Sequence, residues 1–268
     1  MDYEDIIVVQ SNGIITLTLN RPAKLNALGA KLLEEVGDVV EKFEKEDEAK
    51  VLVITGAGRA FSSGADLTAS ISGTDITAPD MPREVKLLPF ARYGRVYSLL
   101  YKTRKPTIAA VNGITVGAGL SLAAACDIRI AADTAAFSAM FVKRGLVADC
   151  GATFTLPRLV GTAKALEMMW TGEIINAEEA LQFGLISRIV PLDDLMDVVL
   201  SLAKKIADGP SISIEAMKRM VYKGLENDSF DAQLAWEAFS QSICGQSEDV
   251  QEGINSFREK REPRFKGR

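Results

Sequence analysis

The chain has 268 residues, of which 47% are hydrophobic and 25% are charged, with a net charge of -5 and no histidine. This composition and length allow a sizeable buried core and exclude a disordered chain. The missing histidine excludes Ser-His-Asp and Cys-His catalysis in their usual forms, and also histidine-based metal sites. A carboxylate, lysine, tyrosine or cysteine remains as a proton carrier. The pI of about 5.1 disfavours nucleic acid as a partner.

The first fifth of the chain predicts a hairpin, a helix and a buried strand. Strand-like runs at 6–9 and 14–19 flank Asn12-Gly13, a strong hairpin signal. Apolar residues then recur at helical spacing between Leu32 and Phe43, and a short buried strand follows at 51–54. The pattern favours a sheet that continues beyond the hairpin.

The next segments repeat the order of strand, turn and helix. Residues 69–89 predict a long loop of the kind that often forms a lid. Strands are predicted at 107–111 and 128–131, with a helix from Gly117 between them. The uncharged stretch 107–126 has the length of a membrane span, but Asn112-Gly113 interrupts it. We therefore expect parallel strands with crossover helices, and no membrane segment.

The rest of the chain is predicted to be mostly helical. Asp208-Gly209-Pro210 marks a boundary between a core at 1–208 and a helical region at 209–268. Three scattered cysteines and an acidic start without an apolar signal region predict a reducing, cytoplasmic setting. We expect no metal site, because neither cysteine pairs nor histidines are present.

Two loops rich in small residues are candidates for a binding site. Residues 61–67 and 112–119 each follow a strand and lead back into regular structure. Two such turns could each present a backbone N–H group and together form an oxyanion hole. They could equally be ordinary strand-to-helix turns. The nearby run 56–61 lacks the third glycine of a dinucleotide fingerprint, which disfavours a Rossmann site.

Six motifs in order resemble the enoyl-CoA hydratase/isomerase (crotonase) superfamily. They are Asn20-Arg21-Pro22 with Asn26-Ala27-Leu28, Gly58 with Phe61-Ser62 and Gly64-Ala65-Asp66-Leu67, Lys105 to Gly113, Cys126 to Ala131, Leu156 to Gly161, and the ending from Glu259 to Arg268. The resemblance implies an α/β fold, a crotonase-type spiral of repeated ββα units. It also implies a C-terminal helical oligomerisation region, with trimers or dimers of trimers, and acyl-CoA thioesters as substrates.

By the same resemblance, the backbone N–H groups of Ala65 and Ala118 hold the thioester oxygen as it becomes an enolate. The substrate or CoA would be held by Lys24, Leu25, Ala27, Ser63, Asp66, Leu67, Phe141, Lys260 and Phe265. No cofactor is expected, since coenzyme A belongs to the substrate. Asp66 could instead begin a helix as its cap, and the two lysines could be solvated surface charges.

The acidic positions suggest a subgroup. Hydratases of the superfamily carry two glutamates where this chain has Ser121 and Phe141, so simple hydratase activity is disfavoured. Asp149 stands where single-aspartate isomerases, such as the epoxyphenylacetyl-CoA type, keep their acid. We expect Phe141, Leu146 and Val147 to give it apolar surroundings, which favour a carboxylate as a base towards C–H bonds.

The sequence thus favours an acyl-CoA isomerase of fatty acid or aromatic acid metabolism with Asp149 as acid and base. A hydratase (a lyase) or a ring-opening hydrolase remains an alternative, as does a non-catalytic acyl-CoA-binding protein. Asp149 could also merely cap the helix that begins near Gly151. The hydrolytic dehalogenases of the superfamily pair this aspartate with a histidine, which the chain lacks. Cys150 is expected to pack rather than to react.

Overall fold

A computed structural model describes residues 3–67, 91–227 and 229–268, with 91–93 described by their backbone alone. The predicted loop at 69–89 lies outside the described residues. The strands are β1 (Ile6–Ser11), β2 (Ile14–Leu19), β3 (Val51–Gly56), β4 (Ala60–Ser62), β5 (Thr107–Val111), β6 (Ile114–Val116), β7 (Ile128–Ala132), β8 (Ala136–Ser138), β9 (Ile175–Asn176) and β10 (Arg188–Val190).

The described helices alternate with these strands at first and then dominate. They are α1 (Ala30–Lys45), α2 (Ala91–Lys102), α3 (Ala118–Ala124), α4 (Ala152–Val160), α5 (Thr162–Thr171), α6 (Ala177–Gln182), α7 (Leu195–Ala207), α8 (Ser211–Glu226), α9 (Phe230–Cys244) and α10 (Glu248–Glu259). The sequence predicts mostly helix after residue 157. The structure adds the short strands β9 and β10, which are too short for periodicity to reveal.

Successive strands are shared between two sheets. Six strands form one sheet in the order β1-β2-β3-β5-β7-β10, and four form the other in the order β4-β6-β8-β9. The predicted hairpin of β1 and β2 is antiparallel, and β2, β3, β5 and β7 are parallel. The pairs β3–β4, β5–β6 and β7–β8 each give one strand to each sheet. The chain therefore winds as the expected spiral of ββα units.

The core lies on both faces of the six-stranded sheet. Leu52 and Ile54 of β3 pack in the larger cluster with α1 residues such as Leu32. Val53, which points to the opposite face, packs in a second cluster with Val199 of α7. Because alternate strand residues are both apolar, both faces can be covered by helices, as parallel sheets require.

The uncharged segment at 107–126 folds as a strand, a turn and a short helix, as predicted. It forms β5, β6 and α3. Within the described ranges, no helix is long and apolar enough to cross a membrane.

A partly buried aspartate ties the C-terminal helices to the sheet. One carboxylate oxygen of Asp127 accepts hydrogen bonds from the Thr107 amide at 2.7 Å and hydroxyl at 2.9 Å, and lies 2.7 Å from the Lys218 ammonium nitrogen. The Tyr222 hydroxyl donates to the other oxygen at 2.8 Å. Since Lys218 and Tyr222 lie on α8, the helix after the predicted boundary is anchored to β5. α7 ends at Ala207 and α8 begins at Ser211, on either side of that boundary.

Candidate active site

The first small-residue turn follows β4 and is held by hydrogen bonds from its own side chains. The Ser62 hydroxyl donates to the Asn26 carbonyl at 2.8 Å and accepts from the Gly64 amide at 3.2 Å. The Asn26 side-chain amide donates to the Ala60 carbonyl at 2.7 Å. These contacts fix the path of the chain up to Ala65.

Ala65 forms an isolated parallel bridge with Leu28. The Leu28 amide donates to the Gly64 carbonyl at 2.8 Å, and the Asp66 amide donates to the Leu28 carbonyl at 3.1 Å. Because amide directions alternate along an extended chain, the N–H group of Ala65 points away from this bridge. No acceptor for it is found among the described residues, so it is available to a ligand.

The second turn joins β6 to α3. The Gly117 amide donates to the Ser138 carbonyl at 2.9 Å, which fixes the turn on β8. Ala118 is the first residue of α3, where amides have no acceptor within the helix. The Tyr97 hydroxyl donates to the Ala118 carbonyl at 3.3 Å. The Ala118 amide itself has no acceptor in the described part of the chain.

The structure places the two turns against each other. A methyl group on Gly119 would lie 2.7 Å from Cβ of Ser62, so α3 packs directly onto the end of β4. A methyl group on Gly64 would lie 3.4 Å from the Ala118 amide nitrogen and 2.8 Å from the Val116 carbonyl oxygen. Glycine at both positions lets two backbones approach closely. The Ala65 and Ala118 amides, which have no acceptor among the described residues, thus belong to neighbouring turns, as the donors of an oxyanion hole would.

Asp149 lies at a cavity of about 380 Å³ beside α3. The Ser121 hydroxyl donates to the Asp149 carbonyl oxygen at 3.2 Å, so α3 also holds the segment that carries this acid. Helix α4 begins after Gly151 without a side-chain cap, so the capping role considered for Asp149 is not observed. Tyr97, Tyr101 and Phe154 are among the residues lining the cavity.

The apolar neighbours of Asp149 differ from those expected. Phe141 is buried, and Leu146 and Val147 are 56% and 78% exposed, but none of the three is among the residues that line the cavity, so the expected apolar surroundings do not come from them. Gly145 adopts a left-handed conformation, with φ of 67°, and ends the short helix before them. Asp149 is itself exposed. Its apolar neighbours in the cavity are aromatic rings of α2 and α4 instead.

Cys150 lies between Asp149 and Tyr97 and is held in a left-handed conformation, with φ of 55°. Burial raises the pKa of its thiol, and the negative charge of Asp149 raises it further. A thiol with a raised pKa is a poor nucleophile. This agrees with the expectation that Cys150 packs rather than reacts.

Residues expected at the CoA thioester surround the first turn. The Ser63 amide donates to the Leu25 carbonyl at 2.9 Å, and the Ser63 hydroxyl donates to the Lys24 carbonyl at 3.3 Å. The Lys24 ammonium nitrogen lies 3.5 Å from a carboxylate oxygen of Asp66. Ala27 is buried and Leu67 is 40% exposed. Leu67 is helical, but the capping role considered for Asp66 falls outside the described residues.

Two other expected residues lie elsewhere. Lys260 follows α10 in a left-handed conformation, and Phe265 lies on the tail that folds back along that helix. The tail is held there by Asp249, whose carboxylate accepts from the amides of Lys266 and Gly267. No contact in the described parts of this protomer joins Lys260 or Phe265 to the two turns.

Two residues were missed by the sequence reasoning. Tyr97 touches both the Ala118 peptide and Cys150. The Arg21 guanidinium donates to the buried Asp66 carboxylate at 2.9 Å and to the Ala27 carbonyl at 2.7 Å. Arg21 belongs to the first of the six family motifs, but the sequence did not indicate its ion pair with Asp66. Tyr97 had no local signal for these contacts, because Ala118 and Cys150 lie 21 and 53 residues further along the chain.

The described residues contain no group of three or more cysteine or acidic side chains arranged to hold a metal ion. Two neighbouring N–H donors and one carboxylate beside a cavity are the groups that the described residues bring together.

Comparisons with known proteins agree with this geometry. The sequence model of the enoyl-CoA hydratase/isomerase family matches residues 9–268. The chain belongs to this family. A 1,2-epoxyphenylacetyl-CoA isomerase of Escherichia coli is 36% identical over 265 residues, which cover 99% of each chain. A probable enoyl-CoA hydratase of Rhodobacter capsulatus is 41% identical over 268 residues, 100% of each chain.

Solved structures of the family also match. The crystal structure of a putative enoyl-CoA hydratase from Streptomyces coelicolor has a TM-score of 0.91 and 31% identity, covering 100% of this chain and 96% of that chain. Family membership establishes the crotonase fold. It does not establish the reaction, because the relatives are named both isomerase and hydratase.

Proposed function

We propose that this chain is an acyl-CoA isomerase that works through a thioester enolate, with Asp149 as its acid and base. The observation that carries the proposal is the meeting of two adjacent free amides, Ala65 and Ala118, with one carboxylate at the neighbouring cavity. Ser121 and Phe141 stand where the resemblance places the two hydratase glutamates, so neither of those positions gives Asp149 a second acid.

In this mechanism the thioester carbonyl oxygen binds between the two amides. Asp149 takes a proton from the acyl chain, and the electron pair of the broken C–H bond moves into the conjugated system, so that negative charge develops on that oxygen. A preorganised donor is worth about 10²–10³ in rate at such an oxygen. Asp149 then returns the proton to another carbon, which moves the double bond or rearranges a ring.

The aromatic wall of the cavity supports the role of Asp149. A bound acyl group would lie against Tyr97 and Phe154 and would displace water from the carboxylate. A carboxylate that loses its water becomes a stronger base, as abstraction of a proton from carbon requires. No cofactor beyond coenzyme A itself enters the proposal.

Coenzyme A would bind along the first turn. The Lys24 side chain is 54% exposed, although its ammonium lies near Asp66, so it can reach a phosphate of the ligand. Leu25, Ala27, Ser63 and Leu67 would hold the pantetheine arm through backbone and apolar contacts. Phe141, Lys260 and Phe265 remain proposed contacts, the last two through a neighbouring subunit.

A hydratase or ring-opening hydrolase is the second candidate, because Asp149 is exposed and water can reach it. The relative of 41% identity is also named a probable hydratase. A panel of enoyl-CoA and cyclic acyl-CoA thioesters in ¹⁸O-labelled water separates the two reactions. An isomerase gives products that contain no ¹⁸O from the water. Incorporation of ¹⁸O would refute the isomerase proposal in favour of water addition, and binding without turnover would favour a non-catalytic acyl-CoA-binding protein.

We also propose that copies of the chain associate through the C-terminal helices as a homotrimer or a dimer of trimers. Met217, Val221 and Leu225 lie four residues apart on α8, are 59%, 62% and 57% exposed, and form one apolar stripe. Exposed apolar stripes mark interaction surfaces. Light scattering should give a mass of three or six times 29.0 kDa, and a mass of one chain would contradict this.

A further inference from the structure

The residues that line the cavity beside Asp149 include Phe154 of α4 and Tyr101 of α2, and the Tyr101 ring also contacts the Tyr222 ring of α8. These three rings are here termed the aromatic partition. The Tyr101 ring lies 5.5 Å from Phe154 at an interplanar angle of 89°, and 4.9 Å from Tyr222 at 69°. Both are favourable edge-to-face contacts. The Arg158 guanidinium lies 3.6 Å over the Phe154 ring. The Tyr101 ring of α2 is thus packed between a ring of α4 and a ring of α8.

A second cavity of about 370 Å³ adjoins the other side of the partition. Tyr101 lines both cavities, and Tyr222 lines the second one. Among the described residues, Tyr101 is the one that lines both spaces, so its side chain lies where the two cavities adjoin.

The second cavity has the opposite chemical character from the first. Five basic side chains and one acid, Glu226, line it; the basic ones are Lys102, Arg104, Lys218, Arg219 and Lys223. Lys218 pairs with Asp127, and the Lys223 ammonium lies 5.9 Å from the Trp236 ring centroid. An apolar chain gains little in such a space, whereas a carboxylate would be attracted to it.

We propose that Tyr101 is a specificity-determining residue that closes the acyl-binding cavity and restricts substrates to short or compact acyl groups. The inference rests on the proposed function, because it assumes that the acyl group enters the cavity beside Asp149. It follows that removal of the Tyr101 ring joins the two cavities, admits longer acyl chains and places their ends among basic side chains.

The test compares Tyr101→Ala with Tyr101→Phe, which keeps the ring and loses only the hydroxyl. Calorimetry measures the affinity of each protein for saturated acyl-CoA thioesters from butanoyl to dodecanoyl, which bind without reacting. Each buried methylene is worth about fourfold in affinity. Wild type and Tyr101→Phe should stop gaining affinity before dodecanoyl. Tyr101→Ala should bind dodecanoyl-CoA about tenfold more tightly than wild type, because the space vacated by the ring beside Phe154 buries about two further methylenes before the chain reaches the basic side chains, with butanoyl-CoA unchanged.

A chain that ends in a carboxylate provides the second measurement. In Tyr101→Ala, the ω-carboxyl analogue of dodecanoyl-CoA should gain more affinity than dodecanoyl-CoA itself, and high salt should reduce that extra gain. If Tyr101→Ala does not fold, Tyr101→Leu, which fills the helix interface but is shorter, should show the same change in smaller measure.

Three outcomes are distinct. A shift in chain-length preference supports the inference. An unchanged preference in a folded variant that binds acyl-CoA overturns it and leaves the proposed function intact. Absence of binding for every acyl-CoA, in wild type as in the variants, overturns the proposed function and the inference with it.

Discussion

Gly64→Ala should move the Ala65 and Ala118 amides apart without unfolding the protein. Gly64 has φ of +87°, a conformation in which an alanine costs about 1–2 kcal/mol. Its new methyl group would lie 2.8 Å from the Val116 carbonyl oxygen, closer than such atoms come, and 3.4 Å from the Ala118 amide nitrogen. The two turns must therefore separate by several tenths of an ångström.

That separation should mainly lower the reaction rate. Oxyanion donors act at about 2.7–3.1 Å from the oxygen, and loss of one such donor lowers kcat by about 10²–10³. We therefore expect kcat of Gly64→Ala to fall by about 10² or more, with a smaller change in KM, because the enolate oxygen depends on the donors more than the ground-state carbonyl does.

Gly161→Ala provides the matched control. Gly161 has φ of +77°, and no described atom lies within 4 Å of an added methyl group. Its φ is also positive, so an alanine there is strained without a clash, and it is not among the residues that line the cavity. Each variant should lower Tm by about 2–8 °C from strain alone, since about 1 kcal/mol shifts Tm by about 2–4 °C at this size. Steady-state kinetics and thermal melts measure both effects. A kcat for Gly64→Ala within threefold of Gly161→Ala would refute the assigned role of the two turns.

Three further variants probe the surroundings of the site. Ser121→Ala removes a hydrogen bond to Asp149 worth about 1 kcal/mol, and should lower kcat about fivefold with KM unchanged; an unchanged kcat would mean that this contact does not position the acid. Arg21→Met removes the 2.9 Å partner of the buried Asp66, beside which Lys24 remains at 3.5 Å, and should destabilise the fold by about 1.5–3 kcal/mol in urea unfolding; equal stability would contradict a structural ion pair. Burial raises the pKa of Tyr222, so its stabilising effect is full below the unfolded pKa of about 10 and is lost as pH rises above it. Tyr222→Phe should lack this loss between pH 9 and 11, and an identical pH profile would argue against the assigned environment.

The strands and turns were predictable where the signal is local. The Asn12-Gly13 hairpin forms as expected, and β5 spans the predicted residues 107–111. The second sheet was not predictable, because β4, β6 and β8 have three residues each and give no periodic pattern. Their pairing depends on contacts between parts of the chain more than 20 residues apart.

The candidate site also combines features that were predictable from local sequence with features that depend on distant contacts. Small residues marked both turns at 61–67 and 112–119, because close backbone approach requires them in any fold. The expected apolar neighbours Leu146 and Val147 were wrong, since sequence adjacency says nothing about the side of the chain on which a residue lies. Tyr97 and Tyr101 line the same cavity as Asp149, although their helix lies about 50 residues earlier in the chain. Only the folded structure reveals that they share this cavity.

Hydrogen exchange tests the central claim most directly. Asp149→Asn and the control Asp133→Asn, an exposed acid outside the cavity, are each incubated with an acyl-CoA in D₂O, and NMR follows the loss of the exchangeable C–H signals. General acid–base catalysis contributes about 10²–10⁴ in rate, so exchange and isomerisation should fall together by that factor in Asp149→Asn. Acyl-CoA affinity should stay within threefold of wild type, and Asp133→Asn should behave as wild type. Exchange at the wild-type rate in Asp149→Asn would contradict the account, because some other group would then be moving the proton.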